Sequence, residues 1–379
     1  MAETGPIMIA GAGIAGLTAA LSLARKGFAS TIVDQAKSLS EVGAGLQLSP
    51  NATRILETLG LGPALQRVWH LPPAVSLADG TSLRTLATVP AGDFALERWG
   101  APYAVLHRGD LQRMLLNAVK NEPLCTLRLG DRFDTSQPPA GNSLLVGADG
   151  VWSRTRSRLQ RTGISRFTGN VAWRITLREA DIPPVLNTHR VTAFLGHGAH
   201  LVAYPLSRGR FNIVAISKGS ALGENWSGEA RDRGDLLNSF SGWNPALTDL
   251  LAKGDNITRW PLHEVTEGAW HDGEHTILIG DAAHAMMPFA AQGAAMAIED
   301  AFELAHFLAG RGINQQALKA FSEHRKKRIA RVRTRGAFNR FAYHAAGPFR
   351  IGRNLVLSLR KPESLAKDFD WLYGYRALD

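Results

Sequence analysis

One cysteine, Cys125, stands in 379 residues. A lone thiol excludes an internal disulfide, argues against a thiolate metal cluster and leaves disulfide exchange without a second thiol. Nowhere do eighteen or more apolar residues run without a charge, so no membrane-spanning helix and no membrane partner are expected. The first 26 residues lack the basic stretch and cleavage pattern of a secretory signal, because their apolar run belongs to a glycine motif; a cytoplasmic location is the default expectation. Internal repeats and low-complexity tracts are absent too. The formal charge of +10 is spread broadly, with one concentration from His324 to Arg335 that includes Arg325, Lys326, Lys327, Arg328, Arg331, Arg333 and Arg335. Without interleaved aromatics or a nucleic-acid module, a nucleic-acid partner is not expected. The helix-like spacing of this block predicts a solvated face, with attraction of anionic ligands as the second reading.

Glycine, by contrast, is placed with purpose. Gly11-Ala12-Gly13-Ile14-Ala15-Gly16 follows the apolar run Pro6 to Ala10 and precedes a helical pattern through Leu17, Leu21 and Leu23. Strand, tight turn and helix are what a pyrophosphate site requires. Gly11 makes the turn, Gly13 lets backbone approach the phosphates and Gly16 lets helix and strand pack closely. Ala29 to Val33 reads as a second strand ending at Asp34, about twenty residues on, where an acid can accept both hydrogens of a ribose diol. Far downstream, His275 to Ile279 reads as a strand delivering Gly280-Asp281-Ala282-Ala283-His284-Ala285-Met286-Met287-Pro288.

Between these cradles the pattern changes. Gly43 to Asn51 reads as a glycine-containing loop, Asp79-Gly80 as a hairpin turn, a helix starts near Asp110, and Ser143 to Val146 is a short strand leading into Gly147-Ala148-Asp149-Gly150. From Val171 to about Arg259 strand-like runs dominate, punctuated by Gly196-His197-Gly198 and Ser207-Arg208-Gly209. The expected fold is α/β: a Rossmann-like dinucleotide-binding domain (1–71, 99–168 and 266–310) interlocked with a second domain on a mixed or antiparallel sheet (72–98 and 169–265). A C-terminal helical region follows at 311–379. Phe321 to Phe341 reads as a basic amphipathic helix, and Trp371 to Tyr375 as an aromatic terminal segment.

These residues together resemble the single-component FAD-dependent aromatic hydroxylases, in particular the branch of salicylate hydroxylase and 3-hydroxybenzoate 6-hydroxylase, over nearly the whole chain. Gly11, Gly13, Ala15 and Gly16 match the dinucleotide fingerprint, and Asp34 the acidic ribose position, where glutamate is more usual. Arg108 resembles an arginine that helps hold the flavin; Asp149, with Ser153 and Arg156, resembles a motif tied to FAD and the nicotinamide cofactor. Asp281 resembles the aspartate on the ribityl chain. His284, Pro288, Gln292, Gly293, Glu299 and Asp300 fit the long motif over the flavin ring, with Ala294 continuing it, although Ala291 stands where glycine is common.

The resemblance implies FAD, NADH or NADPH as reductant, and molecular oxygen added through a hydroperoxyflavin to a small aromatic or heteroaromatic acid. A monomer or homodimer is expected. His200, before Tyr204-Pro205, resembles a histidine of the hydroxybenzoate branch and is the candidate phenol base, against a structural histidine at a strand end. Gln292 resembles a glutamine near the substrate hydroxyl, and these two are the candidate catalytic residues. Tyr204, Met286, Met287, Pro288 and Phe289 are candidate pocket residues. His284 is read as a support for its loop, and Glu299 and Asp300 as helix-end electrostatics or hydrogen bonding; no metal site is expected. Competing functions are a urate-like heterocycle hydroxylase, a flavin oxidase or dehydrogenase without oxygen insertion, and a non-enzymatic nucleotide-binding protein.

Overall fold

The structure, a computed structural model, describes residues 7–39, 44–133, 144–221, 230–254 and 257–379; Pro6, Gly43 and Ser143 lie outside them. In chain order the strands are β1 (Ile7–Ala10), β2 (Ser30–Asp34), β3 (Gly45–Leu48), β4 (Ala74–Asp79), β5 (Thr85–Pro90), β6 (Ala104–His107), β7 (Cys125–Leu129), β8 (Leu145–Gly147), β9 (Ser165–Arg178), β10 (Val191–Gly196), β11 (Ala199–Leu206), β12 (Arg210–Lys218), β13 (Thr258–Val265) and β14 (Thr276–Leu278). Five form a parallel sheet in the order β14-β8-β1-β2-β7. β1 pairs with β2 on one side and β8 on the other, so the crevice beyond their carboxyl ends is a topological switch point, where ligands of open α/β sheets bind.

The glycine-motif helix, Ile14–Arg25, is apolar almost all round and correspondingly buried. It packs between the parallel sheet and the long helix Gly293–Arg311, and small residues set the spacing. A Cβ on Gly16 would lie 1.9 Å from the carbonyl oxygen of Gly11, and one on Gly280 would lie 3.1 Å from Ala15 Cβ and 3.2 Å from Ala297 Cβ. The alanine stripe of the late helix therefore packs against the glycine motif at the start of the chain.

A second, seven-stranded sheet runs β13-β9-β12-β11-β10-β4-β5 and is mixed, because β4 joins β10 in parallel while the other pairs are antiparallel. Its alternation sorts the faces. Leu201 and Ala203 of β11 pack in the core that includes Leu236, Phe240 and Leu250. Val202 and Tyr204 point the other way, into the core shared with the parallel sheet.

Two expectations need correction. Gly45–Leu48 is a strand, paired antiparallel with β6, not a loop; Gly45 donates to Asn212 Oδ1 at 2.7 Å, and a Cβ there would strike Tyr204 at 2.6 Å. This glycine admits a close approach between the two domains. The basic block is not simply a solvated face: within helix Gln315–Tyr343, Arg325 is fully buried and Arg328 nearly so. Arg325 binds Glu299, Asp300 and Glu303 at 2.7 to 2.9 Å, and Arg328 binds Glu299 at 2.8 Å. Arg328 also donates to the carbonyls of Trp371 and Leu372, which fastens the aromatic terminal segment to the body. No helix among the described residues is long and apolar enough to cross a membrane.

Candidate active site

At the switch point lies a cavity of about 570 Å³ whose lining includes Gly11, Gly13, Asp34, Gln112, Ala148 and Asp149. Gly13 precedes the helix with no side-chain cap, so the first N–H groups remain available to an anion. A Cβ on Gly13 would meet nothing within 4 Å, whereas one on Gly11 would lie 2.5 Å from the Ala148 carbonyl oxygen. Gly11 is thus committed to packing, and Gly13 borders open space. Asp34 accepts from Ala12 N–H at 2.7 Å and from Ala36 N–H at 2.8 Å, which ties the end of β2 to the glycine turn. Gln112, which the sequence reading did not single out, donates to the Ala12 carbonyl at 3.1 Å. Its only sequence signal is a place one helical turn after Arg108, on helix Arg108–Lys120.

Asp149 borders the same cavity, but its carboxylate is taken up locally. It accepts from the Ser153 hydroxyl at 2.5 Å and from the Arg154 and Thr155 amides at 2.9 Å each. It shapes the turn. Arg156 is buried and donates to the carbonyls of Val151 and Ala282, joining this turn to the late motif.

The late motif is built on two helices. Asp281 opens the short helix Asp281–His284 and is exposed. His284 Nε2 meets Asp300 Oδ2 at 2.5 Å, and the same oxygen accepts from Gly280 N–H at 2.8 Å. Burial pushes the Asp300 carboxyl up, but His284 and Arg325 outweigh it and hold its pKa at about 2. His284 therefore supports the loop, as read from sequence. Glu299 and Asp300 lie inside helix Gly293–Arg311, where they are hydrogen-bonded ion-pair partners, so the helix-end part of that reading gives way. Among the described residues no cluster suited to a metal ion is present.

Gln292 is buried at the mouth of this helix. Its Nε2 donates to Ser49 Oγ at 2.9 Å, Ser49 Oγ donates to Asn51 Oδ1 at 2.6 Å, and Asn51 Nδ2 donates to Glu299 Oε1 at 2.7 Å. Ser49 and Asn51 were missed as site residues. Ser49 sits where a helix cap is expected, but it makes no cap hydrogen bond to helix Pro50–Thr58. Pro288 is exposed and Gly293 and Ala294 are half-buried, leaving that stretch of backbone accessible.

His200 lies on β11 and is 1% exposed. Its ring stands 5.0 Å from that of Phe289, and its Nδ1 is 2.9 Å from His344 Nε2. Burial, then the neighbouring His344, pushes the His200 pKa well below the usual imidazole range. The candidate pocket residues do not all converge. Met286, Met287 and Phe289 border a cavity of about 430 Å³ with Val265, Arg333 and Arg340, whereas Tyr204 packs at Gly45 and is not on that cavity.

A glycine turn bordering open space, an uncapped helix start and an acid at the second strand define a dinucleotide-binding cradle, and these residues fit FAD. The family described as "FAD binding domain" matches residues 4–139 and 141–335. The chain belongs to the FAD-dependent aromatic hydroxylases, which are flavoprotein monooxygenases. It is 37% identical to 3-hydroxybenzoate 6-hydroxylase 1 of Aquipseudomonas alcaligenes, over 98% of each chain. It is 34% identical to a 3-amino-4-hydroxybenzoate 2-monooxygenase of Streptomyces platensis, over 98% of this chain and 96% of the relative. In fold it is similar to Klebsiella pneumoniae HpxO complexed with FAD and uric acid, with a TM-score of 0.80 at 23% identity over 96% of each chain.

Proposed function

We propose that the chain is an NAD(P)H-dependent monooxygenase that hydroxylates a small phenolic aromatic acid, with His200 accepting the phenol proton and Gln292 orienting the ring. FAD bound in the cradle supplies acceptance of hydride from the reduced nicotinamide and activation of molecular oxygen. Gly13, Ala15, Asp34, Arg108, Asp281, Pro288, Gly293 and Ala294 would hold it, with Gly11 and Gly16 acting through the close packing of the turn and Asp149 beside them. Asp149 acts through the turn it shapes.

One observation carries this reading: a buried imidazole, kept in its neutral form by that burial, stands with its ring 5.0 Å from that of Phe289, where the second sheet meets the late motif. Such a ring is neutral near pH 7 and able to accept a proton, and the buried surroundings favour a neutral phenol until its proton has somewhere to go. Gln292 complements it, because its amide is held by Ser49 and Asn51 and so presents a fixed orientation. The hydroxybenzoate substrates in the names of the relatives favour a hydroxylated benzoate over a urate-like heterocycle, whose support is a likeness of fold.

The test follows NADH and NADPH oxidation by FAD-loaded protein with isomeric hydroxybenzoates, 3-amino-4-hydroxybenzoate, 6-hydroxynicotinate and urate, recording product mass and peroxide together. Incorporation of one atom of labelled molecular oxygen into a hydroxybenzoate supports the proposal. Peroxide without oxygenated product for every compound would make the protein an oxidase; turnover of urate alone would move it to the heterocycle reading.

A further inference from the structure

A base buried at 1% exposure cannot hand its proton directly to water, so phenol ionisation at His200 needs an exit. His344, just after helix Gln315–Tyr343, provides one: its Nε2 lies 2.9 Å from His200 Nδ1. His344 also borders a cavity of about 710 Å³, whose lining includes Asn170, Lys218, Arg340, Phe341 and Phe349. Lys218, Arg340, Phe341 and Phe349 are exposed, so this cavity opens to solvent. The groups facing His344 are His200 on β11, Arg340 one helical turn earlier, Lys218 at the end of β12 and His197 in the turn before β11, while Tyr343 stands against His200. None of these carries a carboxylate.

We propose that His344 relays the phenol proton from His200 to this solvent-open cavity, an assignment that rests on the phenol hydroxylation proposed above. The phenol O–H transfers its proton to His200 Nε2, His200 passes its Nδ1 proton to His344 Nε2, and His344 releases its Nδ1 proton to water. The balance is phenol to phenolate plus one proton in solvent, with no electron moved. Return of a proton to the product phenolate along the same path restores both tautomers. The surroundings suit release over storage: burial, then Arg340, Lys218 and His197, push the His344 pKa down to about 4, so an imidazolium there is short-lived. A purely structural role would require only a hydrogen-bond partner for His200, which an amide can supply.

That difference sets the experiment. FAD-loaded enzyme is mixed rapidly with the hydroxybenzoate it turns over, in weak buffer with a pH indicator, while phenolate absorbance and proton release are followed. His344→Gln keeps a hydrogen-bonding side chain but cannot relay; we expect proton release slowed about tenfold or more with substrate affinity unchanged. His344→Ala is expected to behave alike and to recover speed when free imidazole enters the cavity. Proton release by His344→Gln at the wild-type rate overturns the relay, as does a slow His344→Ala that imidazole leaves slow. If the wild-type enzyme instead hydroxylates no phenolic acid, the functional reading fails, and the relay falls with it.

Discussion

Ala291 holds φ 51° and ψ 35°, a left-handed conformation that costs an L-residue about 1–2 kcal/mol. It ends the short turn Pro288–Ala290 and precedes Gln292, at the position where the resembling family commonly has glycine. Glycine removes that strain but loses about 0.5–1 kcal/mol through its greater unfolded-state freedom. Ala291→Gly should therefore raise stability by roughly 0–1.5 kcal/mol, seen as a small upward shift in thermal midpoint; a lowered midpoint would refute the strain argument. His200→Ala should leave FAD bound while product formation falls by about 10²-fold or more and peroxide takes up the reducing equivalents. Unchanged coupling would remove His200 from the proposed chemistry.

At the scale of elements, the cradle depends on helix Ile14–Arg25 lying close to its own turn. Gly16→Ala places a methyl 1.9 Å from the Gly11 carbonyl oxygen, so the helix must move away from the turn. The expected cost is about 1–3 kcal/mol, with weaker FAD retention, measured by denaturant unfolding and by flavin released on dilution. Gly13→Ala is the informative contrast, because its methyl meets no protein atom within 4 Å: FAD affinity should fall while apoprotein stability changes little. Equal loss of stability in both variants would contradict this separation of packing from binding.

Across the whole molecule, Arg325 ties helix Gln315–Tyr343 to helix Gly293–Arg311 through three buried carboxylates, and Glu299 extends the network through Asn51 toward Gln292. Arg325→Met leaves those charges without their shared cation, so a loss of about 3–5 kcal/mol is expected. The same network predicts an acid limit. Burial raises the Glu303 carboxyl, but hydrogen bonding from His324, then Arg325 and Tyr375, outweighs it and holds the pKa at about 2, like that of Asp300. Both folded values lie below the ordinary value of about 4, so their stabilisation is fully present above pH about 4 and is lost as pH falls toward 2. Acid unfolding followed by circular dichroism should begin in that window. In Arg325→Met it should begin at higher pH; an unchanged acid midpoint would show that the arginine does not set these carboxylates.

The chain's local pattern was enough to specify the Rossmann-like half, because a glycine turn, an acid about twenty residues later and apolar periodicity are local signals with few structural solutions. It also located the mixed sheet, whose strand-like runs are separated by glycine turns, but not β7, a short edge strand, or β3, which looks like a glycine loop until Tyr204 and Asn212 pack against Gly45. The burial of Arg325 was illegible in a run of basic residues, since only the distant carboxylates it meets make such burial tolerable. Ser49, Asn51 and His344 gained their places from contacts spanning 144 to 248 residues of chain. Tertiary structure decided these because the partners are remote in sequence, and neither spacing nor propensity specifies which distant side chains will share a buried hydrogen bond.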